Sequence, residues 1–273
     1  MAKLHLIATG GTIACMPSKN GLVPGLGAKD LLGYIPNGED IGCTDLFSMD
    51  SSNIQPEEWQ QMAMAVLSAR EYCDGIVITH GTDTMAYTAS MLSFMLQNID
   101  IPVVLTGSQH PIVRPDSDGR INLKNAVTAA RSLPGGVYIA FGDAVMMGCR
   151  AVKTRTTSLN AFESINYPYV GAVVNDKFIS LTEPRAMGVF SCFVDIDPSV
   201  ALIKLIPGTS PLFLESVAGC GLRGVVVEAF GLGGVHNFRR DHAESLKKLI
   251  RKGIPVILAS QCLYEASTPD IYE

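Results

Sequence analysis

Short apolar runs alternate along the chain with stretches of helical period. Leu4–Ala8, Gly75–Thr79, Pro102–Thr106 and Val137–Phe141 are almost free of charge, the pattern of strands buried on both faces. Pro56 opens a helical stretch in which Trp59, Met62, Ala63, Val66 and Leu67 fall on one stripe. Thr84–Leu96 predicts a second helix with Met85, Thr88, Ala89, Leu92 and either Met95 or Leu96 inward, and Asn122–Arg131 a third. Strands alternating with helices imply an α/β fold, a doubly wound parallel-type sheet covered on both faces. The period loosens over Leu181–Asp197, so residues 183–199 read as a linker between a large N-terminal domain, 1–182, and a smaller α/β domain, 200–273. In the smaller part, strands are expected at Ala201–Ile206, Gly224–Glu228 and Pro255–Ala259, with helices at Ser210–Gly219 and Asp241–Arg251.

Composition narrows the function classes. Of 273 residues, 47% are apolar and 17% charged, which excludes a disordered chain. No run reaches the ~20 apolar residues of a membrane span, so no membrane partner is expected. The net charge of −5 and the lack of a long basic block argue against a nucleic-acid partner. The richest basic stretch, Arg239–Lys252, alternates with apolar residues and reads as a solvated helix face. The seven cysteines are scattered with no CxxC pair, and the five histidines do not cluster with them. That points to free thiols in a reducing, cytoplasmic setting and against a zinc site. The N-terminal apolar run breaks at Gly10 and Gly11, too short for a signal peptide.

Chemistry is expected just beyond the strand ends, where open parallel sheets bind ligands. There stand Thr9-Gly10-Gly11-Thr12-Ile13, His80-Gly81-Thr82-Asp83-Thr84 and Gly107-Ser108-Gln109. Each turn has a plain reading: a tight glycine turn, or a helix cap supplied by Thr12, Thr82 or Asp83. A phosphate cradle lacks both GxGxxG and GK[ST]. The functional reading is that hydroxyls and a carboxylate share one rim, with backbone N–H groups at hand to hold an oxyanion. No base is evident from spacing. His80 ends a buried strand and reads as structural, and Lys153 is one lysine among many.

The segments TGGTI, DGIVITHGTDTMAYTASMLSFML, PVVLTGSQ and AFESINYP together resemble the bacterial-type L-asparaginase family, nearest its cytoplasmic type I branch. The resemblance runs from about residue 4 to the end of the chain. It implies hydrolysis of L-asparagine to L-aspartate and ammonia, with no metal and no cofactor, by a homodimer or homotetramer. It makes Thr12 the nucleophile and Thr82, Asp83 and Lys153 the accompanying catalytic group. Asp50, Ser51 and Ser52 match the segment that holds the substrate's α-amino and α-carboxylate groups, together with Thr82 and Asp83. Asp50 keeps an equal alternative as a loop cap, and Ser108 is expected behind the site.

The chain departs from the family pattern in two places. Leu22, in Asn20-Gly21-Leu22-Val23-Pro24, stands where many members carry a lid tyrosine. The chain stops at Glu273, where the family continues through further helices, so the small domain is expected to be incomplete. Cys262 lies in a stretch resembling part of a regulatory asparagine site, but Val152 stands where that site would want a hydroxyl; no regulation is expected. The competing readings are a glutaminase-leaning amidase, the asparaginase-like subunit of a Glu-tRNA amidotransferase, and a catalytically silent scaffold.

Overall fold

The computed structural model describes residues 2–19, 21–182, 184, 188–217 and 219–266. The chain divides into two compact units, Met1–Ile196 and Asp197–Glu273. In the first unit the strands are β1 (Leu4–Gly10), β2 (Cys15–Ser18), β3 (Gly21–Pro24), β4 (Gly42–Met49), β5 (Gly75–Thr79), β6 (Leu96–Gln97), β7 (Pro102–Thr106), β8 (Gly136–Phe141), β9 (Ala144–Met147), β10 (Ala151–Lys153), β11 (Phe162–Ser164), β12 (Gly171–Val174), β13 (Lys177–Ser180) and β14 (Ser191–Cys192). Its α-helices are α1 (Ala28–Leu32), α2 (Pro56–Arg70), α3 (Met85–Met95) and α4 (Gly119–Ala130). Eight strands form one sheet in the order β13-β12-β9-β8-β7-β5-β1-β4. The five from β8 to β4 run parallel, and β9, β12 and β13 continue the edge as an antiparallel meander.

The central strands alternate as a doubly covered sheet requires. Leu6, Val77, Val104, Tyr138 and Ala140 face one core, closed by α1 and α4 through Leu31, Leu123 and Ala126. Ile7, Ile76, Ile78, Val103, Leu105 and Ile139 face the other, closed by α2 and α3 through Met62, Val66, Ala89 and Leu92. Helix α2 begins at Pro56, and the Glu58 carboxylate accepts the Gln55 N–H, a standard helix start. Residues 188–196 do not hang free as a linker would. Ser191–Cys192 pairs with Leu96–Gln97, and Phe190, Val194 and Ile196 pack on the α2–α3 core.

The second unit is a three-stranded parallel sheet, β15 (Val200–Lys204), β16 (Gly224–Ala229) and β17 (Val256–Ser260), with α5 (Pro211–Val217) and α6 (His242–Arg251). Its core joins Ile203, Leu205, Val225 and Val227 to Leu214, Leu246 and Leu249. Asp241 caps α6 by accepting the Glu244 N–H at 2.9 Å. Arg239 and Arg240 therefore precede the helix, and the basic stretch of the sequence is only partly a helix face.

Candidate active site

Three strand-end turns of the first unit are locked together by close backbone contact. Strand β1 ends in Gly10 and Gly11 with φ of 97° and 77°, and the Gly11 N–H donates to Met49 O at the end of β4 (3.0 Å). A Cβ on Gly11 would strike the Gly81 backbone beyond β5, and a Cβ on Gly81 would strike the Ser51 side chain. Glycine is thus required at both places by approach, and at Gly11 by conformation as well. The turns enclose a cleft of ≈190 Å³ lined by Thr12, Asp50, Ser51, Thr82 and Asp83. The parallel sheet therefore does what its topology allows, gathering polar side chains outside the carboxyl ends of adjacent strands.

Lys153 reaches this rim from a separate element, the β10–β11 hairpin. Lys153 pairs with Phe162 there, and the Phe162 ring packs on Phe141 with centroids 4.9 Å apart. The Lys153 ammonium donates to Thr82 Oγ1 at 2.9 Å and to Asp83 Oδ1 at 2.6 Å. Its side chain is only 17% exposed, whereas that of Asp83 is 64% exposed. The Thr82 hydroxyl in turn donates to Gln109 Oε1 at 3.3 Å. Gln109 cannot flip its amide without loss, because its Nε2 already donates to Thr156 O and Ser158 O, both at 3.0 Å.

Thr12 differs from Thr82. It opens a short 3-10 turn over Thr12–Ala14, is half-buried, and its hydroxyl makes no hydrogen bond among the described residues. That hydroxyl is open to a substrate in the cleft it lines, while the base that a threonine nucleophile needs does not touch it among the described residues. Cys15 also lines the cleft. Burial, and then the nearby Asp50 carboxylate, push its thiol upward, so at neutral pH it is a poor source of thiolate.

Comparison with known proteins places this architecture. Residues 3–186 match the family model described as asparaginase, N-terminal, and residues 199–273 match the glutaminase/asparaginase C-terminal domain. The chain belongs to the asparaginase family. It is 43% identical over 267 residues to an L-asparaginase of Thermococcus kodakarensis, covering 96% of this chain and 81% of that protein. The thermostable L-asparaginase structure from the same organism superposes with a TM-score of 0.93 at 42% identity, covering 99% of this chain and 84% of that one. L-asparaginase I from Vibrio cholerae gives 0.85 at 30% identity, over 96% and 82% of the two chains. A glutamyl-tRNA(Gln) amidotransferase subunit from Metallosphaera sedula is 33% identical over 290 residues, covering 99% of this chain and 65% of that protein.

In this member of the asparaginase family the structure separates the residues expected at the site. Thr12, Thr82, Asp83, Asp50 and Ser51 all line the cleft. Lys153 touches it through Thr82 and Asp83. Asp50 lines the cleft and also accepts the Ser52 N–H and hydroxyl, both at 2.9 Å. Ser52 is exposed, spends its hydroxyl on Asp50 and does not line the cleft. Ser51 is buried, its carbonyl held by the Thr84 hydroxyl at 2.7 Å. Ser108 lies behind the rim, donating to His110 O.

Two residues of the site receive no role in the sequence reading: Asp118, and Gln109, which that reading places only in a strand-end turn. Asp118 is buried and accepts the Gln109 N–H (2.9 Å), the His110 N–H (3.0 Å) and Asn122 Nδ2 (3.1 Å), fixing the turn that aims Gln109 at Thr82. The one signal in the chain is that Gln109 follows a strand end. Leu22 sits on the β2–β3 hairpin, 52% exposed, and lines the cleft from the side where the lid was expected. Among the described residues no group of three or more His, Cys, Asp or Glu could hold a metal ion. None of the described helices is long and apolar enough to cross a membrane.

Proposed function

We propose that the chain hydrolyses the side-chain amide of L-asparagine to L-aspartate and ammonia, with Thr12 as nucleophile. The observation that carries this reading is the pair of hydroxyls in one small cleft. One, on Thr12, is unpartnered among the described residues, and the other, on Thr82, is held by an ammonium. In the first half-reaction Thr12 Oγ1 bonds to the amide carbon and the C–N bond breaks. The threonine's proton leaves with the nitrogen as ammonia, relayed by Thr82 beside Lys153. The Gly11 N–H is already given to Met49 O, so the oxyanion falls to other backbone N–H groups of these turns. Water then cleaves the ester, releasing aspartate and restoring Thr12.

Asp83 is the partner for the substrate's α-ammonium, a charge-assisted bond, and Ser51 serves the α-carboxylate. Asp50 serves the amino end or caps its own turn. The enzyme is read as cytoplasmic and as a homodimer or homotetramer; sedimentation tests the oligomer directly.

The test of the activity is ammonia release by purified protein from L-Asn, L-Gln and D-Asn. L-Asn is expected to be turned over fastest. The extra methylene of Gln is worth ~1–3 kcal/mol of discrimination, so some glutaminase activity is compatible with the reading. Thr12→Ala is expected to lower kcat by ~10³ or more. Near-normal turnover by that variant, or no ammonia from L-Asn with wild type, overturns the assignment.

A further inference from the structure

We propose that His80 is a positioning residue for this reaction, holding the Gly81 peptide and with it the turn that carries Thr82 and Asp83. The proposal rests on the amidase reading of the cleft, and one arm of its test is independent of activity.

The hydrogen-bond chain around His80 permits one assignment of protons. Its Nδ1 lies 2.7 Å from Gly81 O, and a carbonyl only accepts, so Nδ1 carries the hydrogen. The ring is fully buried, and burial, opposed by the bond to Gly81 O, lowers its pKa to about 4. At neutral pH it holds a single proton, and Nε2 is then an acceptor. Thr88 Oγ1, 2.9 Å away on α3, therefore donates to Nε2. The Thr88 oxygen in turn accepts the Trp59 Nε1–H from α2 at 3.0 Å. Each polar atom has one role, and the chain runs from two helices of one sheet face to the rim.

The need for such a strap follows from Gly81 itself. Close contact with Gly11 and Ser51 demands a residue without a side chain at this position. Glycine has nothing to pack and is free in φ and ψ, so the turn that must be precise is built on the least constrained residue. The His80 ring supplies the missing restraint. The His80 backbone reinforces it, because its N–H donates to Thr106 O at 2.8 Å and a Cβ on Gly107 would strike its carbonyl. His80 thereby ties the second and third turns of the rim.

Two variants divide the ring's functions. The side chain of His80→Asn can still present an N–H near the Nδ1 position, whereas that of His80→Gln reaches toward Thr88 and leaves Gly81 O free. His80→Gln is expected to lower kcat by about tenfold or more with KM for L-Asn within about twofold, while His80→Asn stays within about threefold of wild type in kcat. Equal kcat values in the two variants, or losses that track KM or Tm alone, overturn the proposal. Should either variant fail to fold, Thr88→Val against Thr88→Ser asks the same question one bond further out. The valine is expected to lower kcat and the serine to restore it, and equal values count against the proposal. Histidine 15N NMR of the wild-type protein is expected to show a neutral Nδ1–H tautomer from pH 5.5 to 8. The Nε2–H tautomer would overturn the assignment whether or not the protein hydrolyses asparagine, and absence of turnover with the expected tautomer would strike the amidase reading instead.

Discussion

The Lys153 ammonium donates to the Thr82 hydroxyl oxygen at 2.9 Å, while that hydroxyl's own proton is directed at Gln109. The rotor is thus fixed from both sides. Lys153 also stands 2.6 Å from Asp83, which offsets the charge of a lysine with little exposure of its own. Lys153→Met keeps an aliphatic stem of similar length and removes only the donor. Steady-state kinetics on L-Asn are expected to show kcat lowered by ~10² or more with the fold intact. A variant within about threefold of wild type would contradict the role given to Lys153.

Gln109 contributes through direction rather than charge. Its Nε2 is committed to two carbonyls, so Oε1 faces Thr82. Gln109→Ala frees the Thr82 hydroxyl to rotate. The expected result is kcat down by about tenfold with KM little changed, because Gln109 does not line the cleft. A rise in KM alone would place Gln109 in substrate binding instead.

Asp83 lines the cleft with its Oδ2 unbonded among the described residues, which leaves a carboxylate oxygen for an ammonium ligand. A charge-assisted hydrogen bond contributes ~1.5–3 kcal/mol, so Asp83→Asn is expected to raise KM for L-Asn by ~10- to 100-fold. The check is succinamic acid, which is asparagine without its α-amino group. Wild type should strongly prefer L-Asn over it, and the variant should lose most of that preference. An unchanged preference would assign the ammonium to Asp50.

Legibility in the sequence follows burial. β1, β5, β7 and β8 are enclosed on both faces and read as near-continuous apolar runs, interrupted in β1 by His5, so the sheet's centre and the turns beyond it can be read directly. β4 is an edge strand whose first four residues are all exposed, held to β1 by backbone pairing, and Thr44, Asp45 and Ser48 give it no apolar signature. Yet β4 is the strand that delivers Asp50 and Ser51. The β2–β3 hairpin is hidden for the same reason. Residues 188–196 look patternless because Phe190, Val194 and Ile196 reach the core one at a time between exposed neighbours. At the site, types that form turns are visible in the chain, but Gln109 and Asp118 act through orientation, which leaves no mark on composition or period.

Acid stability offers a test of the His80 network that needs no substrate. In the unfolded chain the imidazole titrates near 6.5, whereas in the buried site it is lowered to about 4. As pH falls through that window the unfolded chain takes up a proton that the folded chain refuses, so stability is fully present above 6.5 and is lost toward pH 4. At ~1.4 kcal/mol per pH unit, the loss between these limits is about 3 kcal/mol. Carboxylates such as Asp100, held low first by its hydrogen bond to Arg70, lose stability in the same direction, so the wild type alone cannot isolate the imidazole. The difference from His80→Asn can, because asparagine does not titrate. Trp59 is the chain's one tryptophan and sits in the network, so its fluorescence reports unfolding of the first unit where it matters. Urea titrations at pH 7 and pH 4.5 are expected to show wild type losing ~2–3 kcal/mol more than the variant. Parallel losses in the two proteins would mean that His80 is solvated or protonated in the folded state, and the hydrogen-bond chain from Trp59 to Gly81 would have to be abandoned.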